Sequence, residues 1–379
     1  MLLIQRISTI EELEELADDW DSLLVTAQIE NIFLTYSWII EWWQVYGADA
    51  DIWVLISRQS DQIIGIAPLM IRKRAWGIRY LSFIGSGEVF PNHLEFIVRP
   101  DMLTTLVQDF CEYILQNRSQ WDILDFEGLS ENSNLALYQD IFRRIRLKVE
   151  IEQYATCPYA KFPDSFEMYL DSRGKRTRKN FRKYSRRLFH DHPNVLFGRV
   201  YSQEELKTTF AALVDFHQDR WIRLGESGAF SSSNFTEFHF AAAQNGLELG
   251  TLRMYYIKIN SKLIAVDLCY RVGRRVFDYI SGFDEEWENY SVGILVMAYA
   301  IEQSIVEGAH EFDLLQGDES YKRHWAIQNR NNWRWRVPSP HLRGRVIWAM
   351  LKTIEIGRVL GHKVVSPKFR KKIKRFFSM

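Results

Sequence analysis

The feature that most constrains this 379-residue chain is an order of elements that occurs twice. Apolar alternation over residues 52–58, 62–72, 80–84 and 93–98 predicts a meander of strands. A helix over 102–117 follows, then an acid-led strand over 122–126. The second half repeats this, with strands at 252–259, 262–271 and 275–281, a helix over 292–307 and an acid-led strand at 311–315. Trp121-Asp122-Ile123-Leu124-Asp125-Phe126 and Glu311-Phe312-Asp313-Leu314-Leu315 hold matching places. A strand and helices precede each meander. In the first half these are residues 2–7 and an acidic helix over 10–27 capped by Ser8 and Thr9. In the second they are 195–201, then helices over 206–224 and 233–245, with Ser202 and Glu205 as a capping box. A helix at 132–144 and a strand at 148–155 close the first half, and a basic helix over 173–192 opens the second. The pattern predicts an α+β fold duplicated in tandem, with mixed, largely antiparallel sheets flanked by helices. The expected domains are 1–160 and 161–340, followed by an apolar helix and basic tail over 341–379.

Charge narrows the function. Lys and Arg total 48, and Asp and Glu also total 48, which excludes an indiscriminate polyanion coat and predicts no DNA partner. The balance is a sum of poles. Residues 1–50 carry ten acids and one base, Arg6, whereas residues 173–187 carry nine bases and no acid. Such a basic helix needs an anionic partner, either a phosphate-bearing ligand or the acidic N-terminal helix. Arg178, Arg182 and Arg186 form one stripe of it. The tail interleaves Lys368, Arg370, Lys371, Lys372, Lys374 and Arg375 with phenylalanines, a composition that suits an anionic membrane surface.

Cys111, Cys157 and Cys269 are odd in number and far apart, as expected of buried fillers in a reducing compartment. No histidine pair has metal-site spacing, so no metal is expected. No run of 18 apolar residues occurs, and the N-terminus does not read as a signal peptide. A cytoplasmic protein, peripheral at the inner face of the membrane, is the expectation.

Chemistry concentrates late in the chain. Ser291-Val292-Gly293 opens a helix after a strand, and free N–H groups there would suit a phosphate. Residues 313–325 then gather Asp313, Gly317, Glu319, Tyr321, Lys322, His324 and Trp325. Acyl transfer needs a base, a proton donor for the leaving group and positive charge at the oxyanion, and this loop offers each.

Four segments carry a family resemblance. They are Arg176-x-Arg178-x-Asn180-Phe181-Arg182 through Arg186; Phe216-His217-x-x-Arg220-Trp221 with Gly228-x-Phe230; Gly282-Phe283-Asp284 leading to Ser291-Val292-Gly293; and Phe312-Asp313-Leu314-Leu315-x-Gly317-x-Glu319-x-Tyr321-Lys322-x-x-Trp325. On these, residues 165–335 resemble the acetyltransferase domain of CelD-like proteins, relatives of the FemAB peptidyltransferases within the GNAT superfamily. Phe33-Leu34-Thr35-x-x-Trp38 and Trp121-Asp122 extend the likeness loosely into the first half. The resemblance implies two GNAT-like domains around a cleft, moving an acyl or aminoacyl group from a thioester or tRNA ester to an amine or hydroxyl. It implies acetyl-CoA or another acyl-CoA as co-substrate, and a small-molecule or glycan-linked acceptor in cell-envelope or exopolysaccharide synthesis. The superfamily's glycine-rich pyrophosphate loop is absent, Gly293 alone remaining.

The implied roles are Lys322 at the oxyanion, Tyr321 as proton donor, and Glu319, Asp313 or His217 as base. Ser291, Val292 and Gly293 would meet the donor, and Arg178, Arg182, Arg186, Trp221 and Trp325 the substrate. Two further readings stand beside an acyl-CoA enzyme: an aminoacyl-tRNA-dependent transferase, and a non-catalytic scaffold of a polysaccharide-synthesis complex.

Overall fold

The computed structural model describes residues 3–131, 133, 149–317, 319 and 321–364, with side chains to 355. The helix expected at 132–144 and the basic tail lie outside them. The first half runs β1 (Ile4–Ile7), α1 (Ile10–Glu14), α2 (Ala17–Thr26), α3 (Tyr36–Tyr46), β2 (Ala50–Ile52), β3 (Val54–Gln59), β4 (Gln62–Ala67) and β5 (Leu69–Arg74). It continues with β6 (Ile78–Phe83), β7 (Ile97–Val98), α4 (Leu103–Gln116), β8 (Ile123–Ser130) and β9 (Glu150–Lys161). The second half holds α5 (Phe166–Asp171), α6 (Lys175–Asp191), β10 (Val195–Arg199), α7 (Gln203–Arg223), α8 (Ser233–Glu248), β11 (Leu252–Ile259) and β12 (Lys262–Val272). Then come β13 (Arg275–Phe283), α9 (Val292–Val306), β14 (Glu311–Asp313), α10 (Lys322–Trp325), β15 (Gln328–Pro338) and α11 (Leu342–Val364).

The duplication extends to the hydrogen-bond register. The β3–β4 hairpin turns on Ser60-Asp61 and the β11–β12 hairpin on Asn260-Ser261, and all four residues have positive φ, between 48° and 67°. Two consecutive left-handed residues match the turn to the right-handed twist of the strands. Each hairpin also shifts register at the same step, between Ser57 and Arg58 in one and between Ile257 and Lys258 in the other. The two hairpins are offset by 200 residues throughout: Gln59 faces Gln62 as Ile259 faces Lys262. In both halves a helix then crosses to a parallel strand, β6 with β8 and β13 with β14.

The halves are joined by an exchange of strands. One 11-stranded sheet runs β10-β11-β12-β13-β14-β9-β15-β8-β6-β5-β2, beside a four-stranded sheet β1-β3-β4-β7. Thus β9, from the first half, pairs with β14 of the second, and β15, which follows the second half, pairs with β8 of the first. β9 and β15 also pair with each other along their length. Without this exchange β8 and β14 would end as bare edges with unpaired backbone groups. Residues 333–337, read from the sequence only as an aromatic segment, belong to β15, and Trp333 and Trp335 face Leu129 and Phe126.

Three expected elements differ. The strand of 62–72 is broken at Pro68 into β4 and β5, which lie in different sheets. The helix of 10–27 is broken into α1 and α2, with Thr9 and Glu12 forming the capping box of α1. The strand of 93–98 shrinks to Ile97–Val98, because His93 takes a left-handed φ of 57° and Leu94 makes only an isolated bridge to Leu129. All three cysteines are buried and free.

Candidate active site

β12 and β13 bring together three side chains that the sequence reading did not single out. Cys269 pairs with Asp278 across the ladder, and Asp267 lies on the same face two residues earlier. Their Asp267, Cys269 and Asp278 side-chain atoms all lie within 4.8 Å of one another. Asp267 and Cys269 are fully buried and Asp278 is 5% exposed. Burial drives both carboxyls up, Asp267 well above its ordinary range and Asp278 to about 6. The Asp267 carboxylate finds no hydrogen-bond donor among the described residues, and the nearby Asp278 charge adds to its upward shift. The signal for them was present in the sequence: each is an acid in the middle of an apolar strand run, Ile264-Ala265-Val266-Asp267-Leu268 and Val276-Phe277-Asp278-Tyr279-Ile280.

The loop after β14 closes over this pair. Lys322 is 6% exposed, and its Nζ donates to the Gln316 carbonyl at 2.7 Å and lies 3.1 Å from Glu319 Oε2. Gly317 makes the turn possible. Its φ is 132°, and a Cβ there would lie 2.8 Å from Lys322 Nζ. The Lys322 charge pulls the Asp278 pKa down against its burial. Burial pushes the Tyr321 phenol far up, and Asp278, Glu319 and Asp267 add to the effect. Asp267, Asp278, Glu319, Tyr321 and Lys322 therefore form one electrostatic group. Tyr321 also lines a cleft of about 40 Å³ with Thr177, Asn180 and Phe181 of α6, Ile294 of α9, and His324 and Trp325.

Other expected site residues stand elsewhere or are already engaged. Asp313, a candidate base on sequence, is fully buried between His93 Nε2 at 3.0 Å and Arg330 Nη1 at 3.5 Å. His93, Arg330 and the Leu315 amide hold its carboxyl below the usual range despite burial. Its charge is engaged by these neighbours. His217 is 8% exposed, and burial lowers its pKa. Its Nε2 accepts from Trp221 Nε1 at 2.9 Å, so the lone pair a base would use is occupied.

The start of α9 does not build the expected phosphate seat. Val292 is fully buried in the core, and Gly293 is small because a Cβ would lie 3.0 Å from the Phe283 ring. Ser291 takes the left-handed region and makes no side-chain cap. Glu285 and Glu286 of the preceding turn pair with Arg223 and Lys262, and Arg187 donates to the Asn289 carbonyl beside it. Val292 and Gly293 offer a pyrophosphate no side-chain donor, and no chemical step is drawn through that group.

The arginine stripe of α6 is partly neutralised by neighbours. Arg178 meets Asp171 at 3.1 Å, Arg182 meets Glu167 at 3.3 Å, and Arg186 donates to the Arg182 carbonyl. These acids belong to α5, so the acidic N-terminal helix is not the partner of this stripe. Trp221 is 38% exposed beside His217, whereas Trp325 is buried and its carbonyl accepts from Tyr169 and Arg173.

Residues 175–323 match the family model of the acetyltransferase (GNAT) domain. Over this stretch, less than half of the chain, the sequence is similar to that domain. Whole-chain likenesses show the GNAT/FemAB-like fold beyond it. FemX is 11% identical, with 88% of this chain and 97% of FemX covered at a TM-score of 0.61. The C-terminal domain of a putative lysylphosphatidylglycerol synthetase from Agrobacterium fabrum is 9% identical, covering 89% and 96% at 0.53. L-PGS from Bacillus licheniformis is 12% identical, covering 90% and 96% at 0.51. No curated protein sequence matches the chain. The matched stretch includes every member of the Asp267–Asp278–Tyr321–Lys322 group, and no helix among the described residues is long and apolar enough to cross a membrane.

Proposed function

We propose that this chain is an acyltransferase whose reaction takes place at the Asp267–Asp278 pair, on a cell-envelope or exopolysaccharide precursor as acceptor. The observation that carries the reading is a pair of adjacent buried carboxyls beside a buried lysine and a half-buried phenol. A carboxyl with a pKa near 6 is well placed to take a proton at neutral pH. Asp278 accepts the proton of the acceptor amine or hydroxyl, and Asp267 lies beside it. Lys322 sets positive charge beside the reacting carbonyl, positioned by Gln316 and Glu319. Tyr321 keeps its proton to high pH and returns it to the leaving group. Glu319 serves to hold Lys322 rather than as the base.

For the donor, the family model supports an acyl-CoA, which would supply a thioester. A second reading, an aminoacyl-tRNA ester, is favoured by the unsuitable start of α9 and by the whole-chain likeness to FemX and the two lysylphosphatidylglycerol synthetases. Thermal shift with acetyl-CoA, CoA and aminoacyl-tRNA separates them. A shift with CoA species lost in Lys322→Ala supports the first, and a shift with aminoacyl-tRNA alone supports the second. A shift with none supports a non-catalytic scaffold and overturns the reading.

A further inference from the structure

Among the described residues nothing covers an apolar stripe of α11. Leu342 is 78% exposed, Val346 59% and Met350 36%, and Ala349 is exposed between them. The spacing of three and four residues puts them on one face. The opposite face carries Trp348, Leu351 and Ile354, which close a groove of about 190 Å³ against the sheet. The tip of the β5–β6 hairpin lies against the start of this helix, where Arg343 Nη2 donates to the Gly77 carbonyl at 2.7 Å. On that tip Trp76 is 72% exposed, in a left-handed conformation with φ 60°. This bulky residue is held there against its backbone preference, at the rim of the groove and with most of its ring in solvent.

Cations surround these apolar groups. Arg74 and Arg345 are exposed, and Arg74 only lies over the Tyr80 ring, at 4.8 Å. From residue 342 to the end the sequence holds eleven bases and one acid, Glu355, itself bound to Arg336 and Lys352.

We propose that the exposed stripe of α11, together with the Trp76 hairpin tip, is a docking surface for an anionic lipid bilayer. Apolar side chains enter the acyl boundary and the flanking bases meet the headgroups, which matches a surface that is aliphatic, aromatic and cationic at once. A second copy docked symmetrically on this face would set like charges against one another. A nucleic acid would satisfy the bases but leave Leu342, Val346 and Met350 in water. The surface is independent of the chemistry proposed for the Asp267–Asp278 pair.

The test is flotation of the full chain with phosphatidylcholine vesicles, with and without about 30% phosphatidylglycerol. The wild type is expected to bind only the anionic vesicles. A W76S/L342S/V346S triple variant with an unchanged thermal transition is expected to lose at least about tenfold in binding. Equal flotation of the triple variant and the wild type overturns the proposal. So does a wild-type dimer that the triple variant dissociates while neither floats, or tight RNA binding without flotation.

Discussion

The two halves share a scaffold down to a hairpin bulge, yet they differ at one spot where acids are buried. Just before β8 of the first half, Asp122 meets Arg79 at 3.0 Å and Arg343 at 3.2 Å. On β8, Asp125 takes a two-pronged bond from Arg334 at 2.7 Å, while the Glu127 carboxyl, raised by burial, accepts from the Gly87 amide. On β14 of the second, Glu311 meets Arg275 and Arg330, and Asp313 meets His93 and Arg330. Each of these acids is compensated. One strand further on, the halves part. At the 200-residue offset, Asp267 and Cys269 correspond to Ala67 and Leu69, and Phe83 faces Leu69 as Asp278 faces Cys269. The first half packs this spot with hydrocarbon, whereas the second buries two carboxyls there without an arginine against them. Buried charge without a partner is costly, and its retention in one copy of a duplicated sheet marks that copy for chemistry.

The comparison breaks most directly at Asp278. Asp278→Asn is expected to lower the transfer rate by about 10²–10⁴-fold with little loss of fold, measured by steady-state kinetics and thermal melting. A rate within a few-fold of wild type would remove the second half's claim to be different. The compensated acids should respond the other way, in stability. Arg330→Met strips the shared partner from Glu311 and Asp313, and Arg334→Met strips that of Asp125, each costing about 3–5 kcal/mol in chemical denaturation. Arg334→Met is expected to leave the rate per folded molecule unchanged.

The dependence on pH sharpens the contrast. Asp278 is raised to about 6 by burial, so the folded chain holds its proton more tightly than the unfolded chain does. That contribution to stability is complete at low pH and is lost as pH rises through about 6. The melting temperature should fall between roughly pH 4 and 6, and Asp278→Asn should flatten the fall. Activity should rise as pH passes about 6, since Asp278 must lose its proton to act as a base. The smallest expected effect is steric. Gly282 sits where a Cβ would be 3.0 Å from Phe216 Cβ, so Gly282→Ala should cost about 1–3 kcal/mol through displacement of α7. A neutral result in equilibrium unfolding would show that α7 can shift freely.

Much of the fold is legible in the sequence because its signals are local. Strand alternation, the turn residues Asn260 and Ser261 and the capping box at Ser202 act within a few residues of themselves. The break after α1 leaves no local signal because Glu15 and Leu16 keep helical backbone angles, and the Leu16 amide merely shifts to the Leu13 carbonyl. The candidate site was half legible. Gly317, Tyr321 and Lys322 cluster within one loop and announce themselves, whereas Asp267 and Asp278 meet only across a ladder. Trp221 lies one helical turn from His217 and so on its face, but which ring atom meets which is not written in the spacing, and nothing in the sequence places His93 beside Asp313.

The sequence by itself determined that one α+β unit occurs twice, that the poles of charge lie apart, and that acyl-transfer groups gather after residue 313. The tertiary structure alone decided which acids are neutralised and which are not. It also decided that β9 and β15 change places to seal both halves into one sheet. The reason is physical in both cases: a hydrogen-bonded partner and a buried carboxyl's pKa depend on neighbours tens to hundreds of residues away, and no local pattern encodes them.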